Sequence, residues 1–236
     1  MREKSLKTSL VVSLALIGAS LLATACSNAT SNPIQRTNSP TVSEAKGDRQ
    51  VSQHGDMMEQ DGSMNHQMSM DLGPADAEYD LRFIDAMVLH HQGAINMAQE
   101  LLQYSQRPEM KKLAQEIIAA QEQEIEQMKQ WRKAWYPQAS DTPQAWHSEM
   151  NHLMPMTEEM MQGMMMSMDL GKTDTEFDLR FINAMIPHHE GAIEMARDAL
   201  SKSERREIQQ LSQDILTSQQ QEIDQMKQWR KDWYKQ

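Results

Sequence analysis

Apolar side chains recur at steps of three and four residues along part of the chain, which is the spacing of a single helix face. In the first such segment this face carries Phe83, Met87, His90, His91, Ala94, Met97, Ala98 and Leu101. In the next it carries Met110, Leu113, Ile117, Gln121, Glu124, Met128, Trp131 and Trp135. The polar residues 105–109 (SQRPE) separate the two segments, and Pro137 ends the second because proline cannot continue a helix. The pattern predicts a helical hairpin.

This hairpin occurs twice. Residues 68–136 align without gaps with residues 166–234, and about 42 of the 69 positions match. Asp76 and Asp174 precede the two helix starts and are the expected N-caps. One hairpin cannot cover both of its apolar stripes, whereas two can cover each other. We therefore expect an all-α, ferritin-like fold, an antiparallel four-helix bundle of two duplicated hairpins, although hairpins from separate chains could pair in the same way.

The segments outside the repeats differ in composition. Residues 1–25 join a basic start to an apolar stretch and predict an export signal of the lipoprotein type, with lipid on Cys26; secretion without lipid stays open. Residues 26–75 are polar and predict a disordered tether that bears Met and His. The repeats then occupy residues 76–137 and 174–236, joined by a Met-rich linker at residues 138–173.

Charge and cysteine content narrow the class of partner and the compartment. The formal charge is −11, and loss of residues 1–25 takes it to about −13. An acidic chain is a poor partner for nucleic acid and for anionic lipid, so membrane contact is expected only through the lipid anchor. Cys26 is the only cysteine, which suits an oxidising compartment. The predicted location is the periplasm or the outer envelope.

Two adjacent histidines lie on the apolar face of the first helix in each repeat. Counted from the hairpin turn, His90 and His91 fall opposite residues 121–124, so Met87 and Glu124 share their layer. The second copy repeats this layer with Met185, His188, His189 and Glu222. A charge buried there is costly unless it is paired or bound to a metal. A His–Glu hydrogen bond that fixes the helix register is the structural interpretation, and a metal site is the functional one.

Methionine clusters outside the helices. Fourteen of the 22 methionines lie within residues 54–70 and 147–168, which core packing does not explain. A thioether is soft and neutral, so it suits Cu(I) and Ag(I) rather than Mg²⁺, Ca²⁺ or Zn²⁺, and imidazole extends the range to Cu(II). The candidate ligands in these segments are His54, Met64, His66, Met68, Met70, His147, Met150, His152, Met154, Met156, Met160, Met161, Met164, Met165, Met166 and Met168.

Three other interpretations of the methionines compete with copper. Residues 160–166 could belong to a short amphipathic helix that covers the bundle, with Thr157 as its N-cap. The thioethers could serve as a reducible sink for oxidant. The segments could also be low-complexity linkers. The copper interpretation expects a flexible chain that lets two or three sulfurs converge.

The repeated segments FIDAMVLHHQGAINMA and FINAMIPHHEGAIEMA resemble the bacterial domain of unknown function 305 family, as does the ending QEQEIEQMKQW. The resemblance covers about residues 76–136 and 174–234. It implies a ferritin-like four-helix bundle and exported proteins that bind Cu(I) and Ag(I) in copper resistance. The positions that match are Met87, His90, His91, Met97, Met185, His188, His189 and Met195. Leu89 and Glu190 depart from the usual proline and glutamine, which puts the equivalence of the two sites in question.

The expected function is therefore an extracytoplasmic copper-binding protein, not an enzyme, that sequesters or transfers Cu(I) and contributes to copper homeostasis. A copper exporter or a periplasmic copper acceptor is the expected class of partner. The first alternative is a ferritin-like metal oxidoreductase, but no Glu lies three residues before a histidine of the helices, as di-iron bundles require. The second alternative is an envelope protein whose methionines absorb oxidant. Metal content separates the three, because iron would favour the enzyme and copper the binding protein.

Overall fold

The computed structural model describes residues 71 to 236. Its elements in chain order are α1 (Tyr79–Tyr104), α2 (Pro108–Trp135), β1 (Gln144–His147), β2 (His152–Pro155), α3 (Glu158–Met165), α4 (Phe177–Lys202) and α5 (Arg206–Tyr234). The predicted export signal, most of the tether, and Cys26, His54, Met64, His66, Met68 and Met70 lie outside the described residues. Among the described helices, none has both the length and the apolarity needed to cross a bilayer.

Two helical hairpins, α1–α2 and α4–α5, make up most of the fold. Each turn is closed by a serine hydroxyl that accepts a hydrogen bond from the backbone N–H two residues further on, at 3.1 Å for Ser105 and 3.2 Å for Ser203. The arginine two residues after each serine pairs with an aspartate of the other hairpin: Arg107 with Asp178 at 3.4 Å, and Arg205 with Asp80 at 3.2 Å. The predicted mainly helical fold is confirmed, with a two-stranded sheet and a fifth helix added to it.

Helices α1 and α4 run antiparallel against each other at the centre. Where α1 begins and α4 ends, the Tyr79 hydroxyl donates to Asp198 Oδ2 at 2.8 Å. Where α1 ends and α4 begins, the rings of Tyr104 and Phe177 meet edge to face with centroids 6.0 Å apart. Helices α2 and α5 pack along the first helix of their own hairpin. The middle of α1, which holds the histidine pair, therefore lies against the middle of α4.

The buried apolar side chains form two clusters. The first, which we call core A, joins the C-terminal half of α1 and the N-terminal half of α2 to the N-terminal half of α4. The second, core B, joins the N-terminal half of α1 to the C-terminal half of α4 and the N-terminal half of α5. Each core thus draws on both hairpins, so neither hairpin has a complete core of its own.

The predicted N-caps are wrong. Helices α1 and α4 begin three residues after Asp76 and Asp174, and neither has a side-chain capping bond. Each aspartate instead accepts a hydrogen bond from the backbone N–H two residues further on, at 3.0 and 2.9 Å, in a local turn. Each also pairs with an arginine of the helix, Arg82 or Arg180, at 2.9 Å. The arginine draws the aspartate into the turn that precedes the helix, which leaves the cap position to Glu78 and Glu176.

The linker between the hairpins is ordered. Strands β1 and β2 pair antiparallel in the register His147 to His152, and the short helix α3 follows. The interpretation of this methionine segment as a short helix capped by Thr157 is confirmed, because the Thr157 hydroxyl accepts a hydrogen bond from Met160 N–H at 3.2 Å. The expectation of a flexible chain is wrong for residues 144–165. The sequence of this segment has too few apolar residues at regular spacing to predict so short a hairpin and helix.

One buried carboxylate fastens the strands to the first hairpin. Asp85 Oδ1 accepts from Arg132 Nε at 2.5 Å, and Asp85 Oδ2 accepts from the backbone N–H of Gln144 at 2.8 Å. The corresponding residue of the second hairpin is Asn183, which accepts from Arg230 at 3.1 Å. Burial raises the pKa of Asp85, and the two hydrogen bonds oppose that shift. This contact places the sheet and α3 beside α1.

Candidate metal centre

His90 and His188 meet at the crossing of the two central helices. Their ring centroids lie 3.8 Å apart with the ring planes tilted by 47°. Both side chains are buried, at 0 and 1% exposure. Each comes from the middle of a different hairpin, so the antiparallel packing of α1 on α4 alone creates this pair. Two imidazoles are thereby placed in one water-excluded layer.

His91 and His189 each donate to a glutamate of the second helix in their own hairpin. His91 Nε2 lies 2.6 Å from Glu124 Oε2, and His189 Nε2 lies 2.6 Å from Glu222 Oε2. The hairpin register counted from the turn predicts both contacts, which the structure confirms. A carboxylate accepts, so Nε2 carries a proton, and in the neutral ring Nδ1 has the lone pair. Both Nδ1 atoms are buried and have no hydrogen-bond partner among the described residues.

His188 is oriented by the backbone of α3. Its Nε2 lies 3.1 Å from the carbonyl oxygen of Met165, which can only accept, so the proton is on Nε2 and the lone pair on Nδ1. Nδ1 of His188 and both ring nitrogens of His90 are buried, and no residue of the described chain bonds to them. Buried polar atoms are normally satisfied. His188, held through one nitrogen with the other left free, is arranged as metal-ligating imidazoles are.

Burial keeps the central pair neutral. It lowers the pKa of His90 well below the ordinary value of 6.5, and the neighbouring His188 adds to the shift. Burial also lowers the pKa of His188 to about 3, with His189 as the next cause. A neutral imidazole already has a lone pair to offer, so a metal need not displace a proton from either ring at neutral pH.

Buried thioethers lie on both sides of this histidine layer. Core B contains Met87 and Met195, and core A contains Met97 and Met185; all four are at most 1% exposed. The sequence predicts that the Met, His and Glu residues of a layer belong to one hairpin, and this prediction is therefore incomplete. Each core combines methionines of both hairpins, because α1 and α4 run in opposite directions. The register within a hairpin carries no information about how two hairpins face each other.

The donors at this layer are not those of a hard-metal site. Within residues 71–236, no three His, Cys, Asp or Glu side chains converge in a way that could hold a metal ion. A centre built from these residues needs thioether sulfur beside imidazole. Neutral sulfur and nitrogen donors favour a soft monovalent ion.

Helix α3 lies over the histidine layer at Gly93. A Cβ on Gly93 would sit 1.7 Å from the Met165 carbonyl oxygen, so only glycine permits this approach. The Ser167 hydroxyl donates to the Gly93 carbonyl at 3.4 Å, and Met166 adopts a left-handed conformation with φ 46°. The sequence indicates the glycine through its place two residues after His91. It gives no sign that a backbone carbonyl would be the partner of His188.

The remaining predicted ligands of residues 147–168 are spread from core to surface. Met156 and Met164 are buried in core B, and Met160 and Met161 pack against it. Met154, Met165 and Met166 are half-buried, and Met150 and Met168 are exposed. His147 is half-buried and His152 exposed, and their rings stack with centroids 5.7 Å apart. Three fully buried methionines of the described chain are absent from the predicted ligand set: Met110 and Met226 of core A and Met128 of core B.

These features define the class of the protein. It contains two copies of a helical hairpin, and the central helices bury a layer of imidazole and thioether groups. The family profile described as "Domain of unknown function (DUF305)" matches residues 28–132 and 80–230. The chain belongs to this family.

Three relatives illustrate the likeness. Structures of CopM with Cu(II), Ag or Cu(I) bound are 39–43% identical to the chain, with TM-scores of 0.51–0.53, and cover 66% of it and 97% of CopM. A DUF305 fragment from Deinococcus radiodurans is 27% identical, with a TM-score of 0.51, and covers 66% of this chain and 96% of that one. Uncharacterized protein L153 of Acanthamoeba polyphaga mimivirus is 43% identical over 49 residues, 21% of this chain. That match spans only 32% of the curated relative.

Proposed function

We propose that this chain is an extracytoplasmic copper-binding protein that holds Cu(I), and Ag(I) in its place, through methionine and histidine. The observation that carries the proposal is a set of buried nitrogens on His90 and His188 that have no hydrogen-bond partner within residues 71–236 and lie between two methionine-containing cores. Soft thioether and neutral imidazole donors match a soft monovalent ion. The likeness to CopM, whose structures carry copper and silver, supports the same choice.

The proposed role is sequestration or transfer of copper outside the cytoplasm, contributing to copper homeostasis. The surface methionines Met150 and Met168, the half-buried Met165 and Met166, and the buried Met87 differ widely in access to solvent. Thioether sites of graded access suit passage of an ion from the surface to the core, because each step exchanges one soft donor for another. A copper exporter or a periplasmic acceptor would then be the partner, and a lipid on Cys26 would fix the protein to the envelope.

The test is an anaerobic titration with Cu(I) against a competing chelator, with the metal counted per chain by elemental analysis. The wild type should retain copper, and His90→Ala/His188→Ala should retain fewer ions per chain while its far-UV circular dichroism stays helical. If this variant unfolds, Met87→Leu/Met195→Leu replaces it, since leucine keeps the volume and removes the sulfur. Equal retention by the wild type and a folded variant would place copper elsewhere, and iron in the purified protein would favour the oxidoreductase.

A further inference from the structure

The hexapeptide MSMDLG occurs twice, at residues 68–73 and 166–171, shortly before the two hairpins. Of the first copy, residues 71–73 are among the described residues. In both copies the aspartate accepts a hydrogen bond from the glycine N–H two residues further on, at 2.9 Å in the first and 2.8 Å in the second. The two glycines have left-handed φ values of 80° and 72°. The same sequence therefore forms the same turn before each hairpin.

The leucine of this hexapeptide is held in the same way in both copies. The Leu72 carbonyl accepts from Arg82 Nε at 2.6 Å, and the Leu170 carbonyl accepts from Arg180 Nε at 2.6 Å. Leu72 is buried in core B and Leu170 in core A. The leucines lie in different cores because α1 and α4 run antiparallel. The symmetry of the duplication thus extends beyond the hairpins, as far towards the N-terminus as the described residues reach.

In the second copy, the chain before the leucine crosses a helix of the other hairpin. The Ser167 hydroxyl donates to the Gly93 carbonyl of α1 at 3.4 Å, and the Met165 carbonyl accepts from His188 at 3.1 Å. Glycine in a helix interior is less favourable than alanine, and the close approach of the Met165 carbonyl explains its presence in α1. Residues 165–168 therefore lie over α1 beside the histidine layer.

The counterparts of both contacted residues are present in the chain. In the alignment of the two repeats, Gly191 corresponds to Gly93, and it is buried in the interior of α4. His90 corresponds to His188, and both of its ring nitrogens are buried without a hydrogen-bond partner within residues 71–236. Buried polar atoms are normally hydrogen-bonded. The duplication thus provides a second glycine and a second histidine for the chain that precedes Leu72.

We infer that residues 67–70 lie across α4 at Gly191, in the arrangement that residues 165–168 take on α1. The Gln67 carbonyl then accepts a hydrogen bond from His90 Nε2, and the serine hydroxyl of this segment donates to the Gly191 carbonyl. A proton on Nε2 leaves the lone pair of His90 on Nδ1, as in its counterpart on α4. The inference concerns the fold of the metal-free chain and goes beyond the proposed function.

The choice of this segment rests on its anchor. In the second copy, residues 167–170 bridge the distance from Gly93 to the buried leucine. By the symmetry of the duplication, residues 69–72 should bridge the distance from Gly191 to Leu72. The correspondence does not extend to a second copy of α3, because glycine and serine at positions 62 and 63 replace two methionines that pack against core B.

The experiment measures the mobility of a nitroxide spin label on the metal-free full chain by electron paramagnetic resonance. Cys26→Ser removes the native thiol, and Met70→Cys or Met168→Cys places one label before each hairpin. Met168 is exposed, so a label there displaces no core contact. The label at residue 70 should be as immobile as the label at residue 168, at every protein concentration. A mobile label at residue 70 would overturn the inference, as would one that is released on dilution, which would mean that the segment docks on a second copy of the chain.

Two matched glycine variants provide the crossed control. Gly191→Ala should mobilise the label at residue 70 and leave the label at residue 168 unchanged, and Gly93→Ala should do the reverse. Gly191→Ala should also lower the midpoint of urea unfolding, whereas alanine in an uncovered helix would raise it. A raised midpoint, or a label at residue 70 that Gly191→Ala does not affect, would overturn the inference.

The label at residue 70 in the chain with its native glycine decides the question if Gly191→Ala does not fold. Because no metal is present in these measurements, their failure leaves the proposed function untouched. Loss of copper retention in the anaerobic titration would in turn leave this inference standing.

Discussion

The rings of His90 and His188 lie with centroids 3.8 Å apart, although the two residues belong to different hairpins. In the part of the chain that the structure describes, neither pairs with a carboxylate, unlike the adjacent His91 and His189. The duplication has therefore produced two kinds of histidine in each repeat. One is held within its own hairpin by a glutamate, and the other becomes useful only when the second hairpin is present.

Acid should destabilise the metal-free protein through this pair. The pKa of His188 is about 3 in the folded chain and about 6.5 in the unfolded chain. Below pH 6.5 the unfolded chain therefore binds a proton that the folded chain does not bind. The free energy of unfolding should fall as pH drops from 6.5 towards 3, by up to about 1.4 kcal/mol per pH unit for each such histidine, and this contribution should be absent above 6.5. Urea unfolding at pH 7.5, 6 and 5 measures it.

His188→Asn is the control for that pH dependence, because carboxylates titrate in the same range. The stability of the wild type relative to the variant should decrease as the pH falls below 6.5. A difference that stays constant from pH 7.5 to 5 would mean that His188 is not held neutral in the core.

Loss of charge on the histidine-bound glutamates should weaken copper binding without unfolding the chain. Glu124→Gln and Glu222→Gln keep an oxygen that can accept from Nε2 but remove the negative charge that raises the basicity of Nδ1. Each variant should lower Cu(I) affinity by about 10- to 100-fold, measured by chelator competition. Unchanged affinity together with lower stability in urea would assign these glutamates to helix register alone.

A double-mutant cycle can test whether the sulfur donors are shared between hairpins. Met87 and Met195 lie together in core B, while Met185 lies in core A. The effects of Met87→Leu and Met195→Leu on Cu(I) affinity should be non-additive by about 0.5 kcal/mol or more, whereas Met87→Leu and Met185→Leu should add. The opposite pattern would mean that each hairpin builds its own site.

Gly93→Ala should destabilise the protein, against the usual effect of that change in a helix. Alanine at a free helical position stabilises by about 0.5–1 kcal/mol. Here the added Cβ would overlap the Met165 carbonyl, so α3 must move and His188 loses its acceptor. We expect a loss of about 1–3 kcal/mol in urea unfolding. A gain in stability would show that α3 does not pack on Gly93 in solution.

The sequence predicts the parts of this site that depend on one hairpin. Three- and four-residue spacing places the helices, and counting from the turn pairs His91 with Glu124, because both depend on local geometry. The contact of His90 with His188 depends on how two similar apolar faces meet, which several packings would satisfy. The role of the Met165 carbonyl as the hydrogen-bond partner of His188 could not be predicted either. Every residue has a backbone carbonyl, and only the fold determines which one accepts this bond.

The central claim is that copper is held by sulfur and imidazole together in the interior. X-ray absorption at the copper edge of the Cu(I)-loaded chain tests it most directly. We predict a low-coordinate Cu(I) spectrum with both sulfur and nitrogen scatterers, whose nitrogen contribution falls in His90→Ala/His188→Ala. A shell of oxygen and nitrogen alone, or one unaltered by that substitution, would contradict the claim.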